Sequence, residues 1–202
     1  MIYYINNALN NESSKKRFVV HDDFYENPDY VRDFALQQEF IKHPEAHKGA
    51  RTDDRFFSKN MKEKFEEILG MKILRFYDNE AYCNGVFQYC TAEDDIVYHC
   101  DGQDWAGAIY LTPDAPYDTG TSFYASKNNK ERHASEVDWN GNHPFVGGHY
   151  DSTKFDLVDT VGNVYNRLVL WDARLIHAAT KYFGQNKNDS RLFHLFFFDI
   201  EK

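Results

Sequence analysis

Histidine and aspartate residues with metal-ligand spacing are the first chemically informative feature of this sequence. Three His-x-Asp triplets occur, beginning at residues 21, 99 and 149. With 9 histidines among 202 residues, about one such triplet is expected by chance, so the triplet alone proves nothing. A triplet joined by a distant second histidine forms a 2-His-1-carboxylate set, which binds ferrous iron on one face and leaves other coordination positions open.

The triplet at His99 and Asp101 has the context that such a site needs. It follows the run Asp-Ile-Val-Tyr at 95–98, and alternation along a strand puts residues 99 and 101 on one face. The second histidine is predicted to be His177, which lies in a β-like run and follows Asp101 by 76 residues, enough for the intervening strands. His177 follows Asp151 by only 26 residues, too few for the intervening strands, so the triplet at His149 and Asp151 is the weaker candidate.

A single arginine follows the distal histidine. Arg191 lies fourteen residues beyond His177 and opens the apolar run 192–198. A guanidinium at the start of an apolar strand needs a buried anion, and its fork of donors pairs bidentately with a carboxylate. The sequence therefore predicts that Arg191 binds a buried anion.

The order His-x-Asp, distal His, then Arg resembles the iron(II)- and 2-oxoglutarate-dependent oxygenases, in particular their prolyl-hydroxylase-like branch. The resemblance covers residues 83–199 and is strengthened by Tyr89, ten residues before His99, by Tyr110, eleven after it, and by the stretch Thr-Gly-Thr-Ser-Phe at 119–123. The stretches 166–178 and 191–199 are also similar to a little-characterised bacterial and phage group of these enzymes.

The resemblance implies roles for the matching residues. The three metal ligands would bind iron(II), Arg191 and Tyr110 would bind the distal carboxylate of 2-oxoglutarate, and Tyr89 would lie beside that co-substrate. Dioxygen would take the remaining coordination position. The fourteen-residue gap before Arg191 is longer than is common in this branch, so Arg167 remains an alternative for the carboxylate contact.

Local patterns predict a mainly β fold with flanking helices and a double-stranded β-helix, or jelly-roll, core. Helices are predicted at 28–40 and 59–69, on the outside of a sheet. Strands are predicted at 71–76, 83–90, 96–100, 106–111, 121–125, 156–160, 167–171, 175–179 and 191–199. We expect a single domain over 1–202, with helical support at 1–70, the jelly roll at 71–202 and a lid-like insertion at about 126–151.

Composition excludes several classes of function. The 23 Lys and Arg against 32 Asp and Glu give a net charge of −9, which argues against a nucleic-acid partner or an anionic membrane surface. Three cysteines without CxxC spacing indicate neither a disulfide framework nor a zinc knuckle. Without an apolar span or a signal-peptide pattern, we expect a cytoplasmic protein with no membrane contact.

The expected function is hydroxylation of a free amino acid, a peptidyl residue or another small metabolite, with release of succinate and CO2. A non-catalytic, metal-binding jelly-roll interaction module is the alternative, and a zinc hydrolase with the same ligands is a weaker one. Trp105, Trp139 and Tyr150 are candidates for a substrate pocket, although structural packing is the better explanation for each. The sequence carries no indication of the oligomeric state.

Overall fold

Two antiparallel sheets and two helices form the part of the chain that the computed structural model describes, which is residues 17–42, 48–77 and 83–201. The elements in chain order are β1 (Phe18–His21), α1 (Pro28–Leu36), β2 (Ile41–Lys42), β3 (Ala50–Arg51), α2 (Met61–Leu69), β4 (Ile73–Arg75), β5 (Val86–Cys90), β6 (Trp105–Tyr110), β7 (Thr121–Ser126), β8 (Phe155–Val161), β9 (Leu168–Asp172), β10 (His177–Ala179) and β11 (Arg191–Ile200). Three short 3-10 turns lie at Tyr117–Thr119, Ala134–Glu136 and Ser152–Lys154.

The larger sheet has the order β1-β9-β6-β11-β5-β3-β2, with β4 paired to one end of β11, and the smaller sheet has the order β10-β7-β8. A hydrophobic cluster that includes Phe123 and Val161 of the smaller sheet and Tyr110, Val169 and Phe193 of the larger one fills the space between them. Strands that are distant in sequence are neighbours in both sheets, for example β1 and β9 in the larger sheet and β10 and β7 in the smaller one. The predicted mainly β, jelly-roll fold with flanking helices is confirmed.

Both helices pack on the outer face of the larger sheet. Helix α1 begins at Pro28 after Asn27, whose side chain accepts a hydrogen bond from the backbone of Tyr30. Helix α2 ends at Gly70, which takes the left-handed conformation and returns its N–H to the carbonyl of Glu66. The helices bury Ala35, Met61, Phe65 and Leu69 against the sheet, and both are shorter than predicted.

The N-terminal part also contributes strands. β1 pairs with β9 at one side of the larger sheet, and β3 pairs with β5 at the other. The described part of the segment 1–70 therefore supplies strands of the larger sheet as well as helices, while the division of the chain into support and core stays a prediction.

The predicted strand at 96–100 is wrong. Within the described chain, these residues form no strand, and His99 makes one isolated bridge. Asp94 turns the chain after β5 by accepting hydrogen bonds from the backbone of Thr91 and Gly49. The side chains of His99 and Asp101 nevertheless point to the same side of the segment, as alternation predicts.

Candidate metal centre

A backbone bridge holds the two predicted histidine ligands opposite each other. His177 opens β10, and His99 lies in the segment that follows β5. The N–H of His99 donates to the carbonyl of His177 at 3.0 Å, and the N–H of His177 donates back at 2.9 Å. Because residues paired in this way direct their side chains to the same face, the two rings lie together, with centroids 4.3 Å apart.

Each imidazole presents the same nitrogen to the site. Nδ1 of His99 lies 3.0 Å from the carbonyl of Val97, and Nδ1 of His177 lies 2.8 Å from the carbonyl of Leu175. A carbonyl can only accept a hydrogen bond, so in the neutral ring Nδ1 carries the proton and Nε2 offers a lone pair. Metal-binding histidines are oriented in this way by a partner on the other ring nitrogen.

Asp101 completes the cluster. Its backbone N–H donates to the carbonyl of Ala173 at 2.8 Å, which ties it to the turn between β9 and β10. Oδ1 lies 3.5 Å from Nε2 of His99, and Oδ2 lies 3.3 Å from Nε2 of His177. The three ligand atoms fit within 4.8 Å of one another. The structure thus brings together the three residues that the sequence predicts as metal ligands.

The donor set fits a divalent metal ion. Oδ2 of Asp101 is buried and makes no hydrogen bond with the described residues, since Nε2 of His177, 3.3 Å away, carries no proton in the neutral ring described above. A buried carboxylate oxygen without a partner is costly, and a cation at this point would satisfy it. Two imidazoles and one carboxylate on one face are the ligands that suit non-haem iron(II).

Electrostatics favour the metal-binding protonation states. Burial, helped by the neighbouring His177, lowers the pKa of His99 well below its ordinary value, so its ring is neutral at pH 7. Burial acts to raise the pKa of Asp101, but His177, His99 and Arg51 outweigh it and hold that pKa below its ordinary value. The aspartate is therefore anionic. Deprotonated ligands of this kind can bind a metal without first releasing protons.

Arg191 lies in the same cavity with its charge uncompensated by the described residues. It opens β11 and is 4% exposed. Its Nε donates to the carbonyl of Thr119 at 2.9 Å, and its Nη2 lies 3.3 Å from both the carbonyl of Gly120 and Oγ1 of Thr121. Within the described ranges, no carboxylate lies in ion-pair distance of this guanidinium. A buried cation of this kind needs an anion from outside the chain.

Tyr110 lies beside that arginine. The Arg191 guanidinium is 5.3 Å from the centre of the Tyr110 ring, and the tyrosine hydroxyl lies 2.8 Å from Oγ1 of Thr121. Tyr110, at the end of β6, and Arg191 therefore share Thr121 as a neighbour. The structure brings this predicted pair together.

The structure places two other residues of the predicted site, Tyr89 and Arg167, away from the cavity. Tyr89 is paired with Leu192 and packs its ring on Phe40, against the helices, so its predicted place beside the co-substrate is wrong. Arg167, the alternative carboxylate ligand, forms an ion pair with Asp22 at 2.5 Å near the surface. Of these two arginines, Arg191 is the one that the fold directs into the cavity.

The cavity has a volume of about 640 Å³ and contains the metal-ligand cluster and Arg191 in its wall. Sequence reasoning missed three of its polar residues, namely Arg51 of β3, Gln88 of β5 and His149. Nδ1 of His149 lies 2.9 Å from the carbonyl of Tyr98, which holds its ring at the cavity wall. His149 belongs to the third His-x-Asp triplet of the sequence. Its place in the cavity wall depends on a backbone hydrogen bond from Tyr98 to His149, which the sequence pattern does not indicate.

The aromatic pocket candidates separate in the structure. Tyr150 lines the cavity, with the Lys48 ammonium 4.8 Å from its ring centre. Trp105 is buried in the core below the helices, and Trp139 is half exposed and stacks on Phe145. Trp171, which the sequence did not single out, lines the cavity and contacts the edge of His177, with ring centroids 5.3 Å apart.

The sequence matches no protein-family model and no curated protein. Among solved structures, the chain is similar to HygX from Streptomyces hygroscopicus with nickel and 2-oxoglutarate bound, with a TM-score of 0.53, 11% identity, and coverage of 90% of this chain and 82% of HygX. The structure of HygX with nickel, 2-oxoglutarate and hygromycin B bound gives a TM-score of 0.52, 9% identity and the same coverage. The Fe(II)/α-ketoglutarate-dependent dioxygenase TqaL gives a TM-score of 0.41 at 10% identity, covering 92% of this chain and 86% of TqaL.

At these identities, the likeness to HygX establishes a shared fold. Within the described residues, no helix is both long and apolar enough to cross a bilayer.

Proposed function

We propose that this protein is an iron(II)- and 2-oxoglutarate-dependent dioxygenase that hydroxylates a small-molecule or peptidyl substrate. The observation that carries the proposal is the joint placement of two charges in one cavity. The anionic His99–Asp101–His177 cluster offers three ligand atoms to a metal, and the buried Arg191 offers a guanidinium to an anion. Metal ligands alone would fit many functions, but a carboxylate site in the same wall fits a metal-chelating co-substrate with a second carboxylate.

Each residue has one task in this proposal. His99, Asp101 and His177 would hold iron(II) on one face and leave three positions for the keto acid and dioxygen. Arg191 would pair with the distal carboxylate of 2-oxoglutarate, while Thr121 and Tyr110 hold the guanidinium in place. When bound, the iron and co-substrate supply oxidative decarboxylation to succinate and CO2, coupled to hydroxylation of a C–H bond. The pairing of Arg191 with Tyr110 also supports the prolyl-hydroxylase-like branch.

The cavity is large enough for two ligands. Small-molecule sites typically occupy ~300 to 1,000 Å³, and this one has about 640 Å³. The HygX structures hold nickel and 2-oxoglutarate together, and one of them also holds hygromycin B, so a protein of similar fold accommodates this set of ligands. Both points support a co-substrate and a substrate side by side here.

The test is formation of succinate from 2-oxoglutarate by protein loaded with iron(II) in air. We expect succinate that depends on iron, on dioxygen and on His99. A protein that binds iron but neither binds 2-oxoglutarate nor releases succinate would be a metal-binding interaction module instead. A protein active with zinc and without dioxygen would be a hydrolase, and either result would overturn the proposal.

A further inference from the structure

Arg51 is a second guanidinium in the cavity wall, and the proposed function assigns no ligand to it. It lies on β3 and is paired in register with Gln88 of β5. Its Nε donates to Oε1 of Gln88 at 2.6 Å. Gln88 is itself fixed, since its Nε2 donates to the carbonyl of Lys48 at 2.8 Å. Among the described residues, no carboxylate forms an ion pair with Arg51.

The backbone around Arg51 is held closely against β5. Gly49 has a φ of +67°, and a Cβ at this position would lie 2.0 Å from the carbonyl oxygen of Tyr89. Only glycine fits such a close approach in the left-handed region. Because the chain is locked two residues before Arg51, and the side chain is held by Gln88, the guanidinium is positioned before any ligand arrives.

The two arginines of the cavity lie on opposite sides of β5. Arg191 of β11 is paired with Cys90, and Arg51 of β3 is paired with Gln88, so both guanidiniums leave the sheet on the cavity face. Arg191 is enclosed by the carbonyls of Thr119 and Gly120. Arg51 donates to the neutral amide of Gln88 and is partly exposed. The cavity therefore provides two separate places for an anion.

We infer that Arg51 binds the carboxylate of the substrate, so that the substrate class is a small carboxylic acid such as a free amino acid. The inference rests on the proposed function, which assigns Arg191 to the co-substrate. A single guanidinium balances one carboxylate. A phosphate dianion would require a second cation at the same point, but the nearby Lys48 lies over Tyr150 and 3.5 Å from Asp95.

The experiment measures succinate release by the iron-loaded protein in the presence of matched pairs of probes. The probes are the proteinogenic amino acids, their N-acetyl derivatives and simple hydroxy acids, each tested beside its primary amide, together with small phosphate monoesters. The variants are Arg51→Gln, Arg51→Lys and the control Arg75→Gln, whose side chain lies 3.8 Å from Asp199 on the outside of the sheet. Calorimetric titration of the nickel- and 2-oxoglutarate-loaded protein with the best probe gives a second readout.

We expect at least one carboxylate to stimulate succinate release while its amide does not. Arg51→Gln should raise the KM for that carboxylate by about 10- to 100-fold, the loss expected for a charged hydrogen-bonding pair, and weaken the calorimetric affinity equally. Arg51→Lys should lose less, and Arg75→Gln should match the wild type. The KM for 2-oxoglutarate should stay near that of the wild type in Arg51→Gln, because Arg191 is untouched.

Several outcomes would overturn the inference. Stimulation by amides as strong as by acids, stimulation only by phosphate monoesters, absence of any stimulating carboxylate, or a wild-type KM in Arg51→Gln would each do so. Failure of the proposed function looks different, because succinate would then be missing in every reaction, including the basal one. A raised KM for 2-oxoglutarate in Arg51→Gln would instead assign this arginine to the co-substrate.

Discussion

His99 and His177 exchange both of their backbone hydrogen bonds, at 3.0 and 2.9 Å, across an isolated bridge. The spacing of the two imidazoles is therefore set by the main chain and does not depend on the side chains themselves. Each ring is then turned by the carbonyl two residues before it, Val97 for the first and Leu175 for the second. A site built in this way keeps its backbone when one ligand is removed.

Replacing His177 or His99 with alanine should abolish function without unfolding the protein. The backbone bridge does not need the ring, so we expect succinate release to fall by more than about 100-fold, as for loss of a group required for chemistry. The control is His21→Ala, on β1 beside Phe24 and outside the cavity. Succinate release and circular dichroism are measured together, and an active His177→Ala variant would show that the metal site is assigned wrongly.

Variants of Arg191 and Arg167 show which of these two arginines binds the distal carboxylate of the co-substrate. Arg191→Gln should raise the KM for 2-oxoglutarate by about 10- to 100-fold, because a charge-assisted, bidentate contact is lost. Iron binding should stay near that of the wild type. Arg167→Gln removes an ion pair with the exposed Asp22 and a hydrogen bond to the carbonyl of Gly162, and it should leave the KM unchanged. The reverse result, with Arg167 controlling the KM, would contradict the assignment.

The parts of the site that were predictable share a simple geometric basis. Alternation in an extended chain placed residues 99 and 101 on one face, and this held although the segment forms no regular strand. Tyr89 was assigned from the family resemblance alone, and alternation along β5 puts its side chain on the face opposite to that of Gln88. Its neighbour Gln88 lines the cavity, and the ladder between β5 and β11 fixes which of the two points inward.

Arg51 was beyond prediction for a different reason. Its strand has two residues, too few for any periodic pattern, and its partner Gln88 lies 37 residues away. Only the pairing of β3 with β5 brings the guanidinium into the cavity. The helices were easier, since Asn27, Pro28 and Gly70 mark their ends through local backbone chemistry.

His194 makes stability depend on pH. It is 2% exposed, accepts a hydrogen bond from Tyr25 and donates to the carbonyls of Phe56 and Gly85, and burial lowers its pKa to about 4. The unfolded chain, with an ordinary pKa of about 6.5, binds the proton more tightly, so stability is lost as the pH falls from 6.5 towards 4. His194 alone should remove about 2 kcal/mol between pH 7 and pH 5.

Urea unfolding of the wild type and of His194→Gln at pH 7, 6 and 5 tests this. The variant should be less stable at pH 7, since the buried carbonyls lose their donor, but its stability should fall less steeply with pH. His99, whose pKa is lowered in the same direction, contributes equally to both proteins and cancels in the comparison. Parallel pH curves for the two proteins would show that His194 keeps its proton affinity on folding.

Asp101 links ligand binding to thermal stability. Nickel at about 100 times its dissociation constant should stabilise the wild type by about 2.7 kcal/mol and raise its Tm by roughly 5 to 10 °C. Asp101→Asn keeps the shape of the side chain but removes the charge, so its Tm should rise by less than about 2 °C under the same conditions. Asp156→Asn, which alters an exposed ion pair with Lys130, is the matched control and should respond like the wild type.

Because the readout is a melting curve, it needs no substrate and no turnover. An equal rise in Asp101→Asn would mean that the metal binds elsewhere, since Oδ2 of Asp101 is the buried oxygen that a cation in this cluster would satisfy.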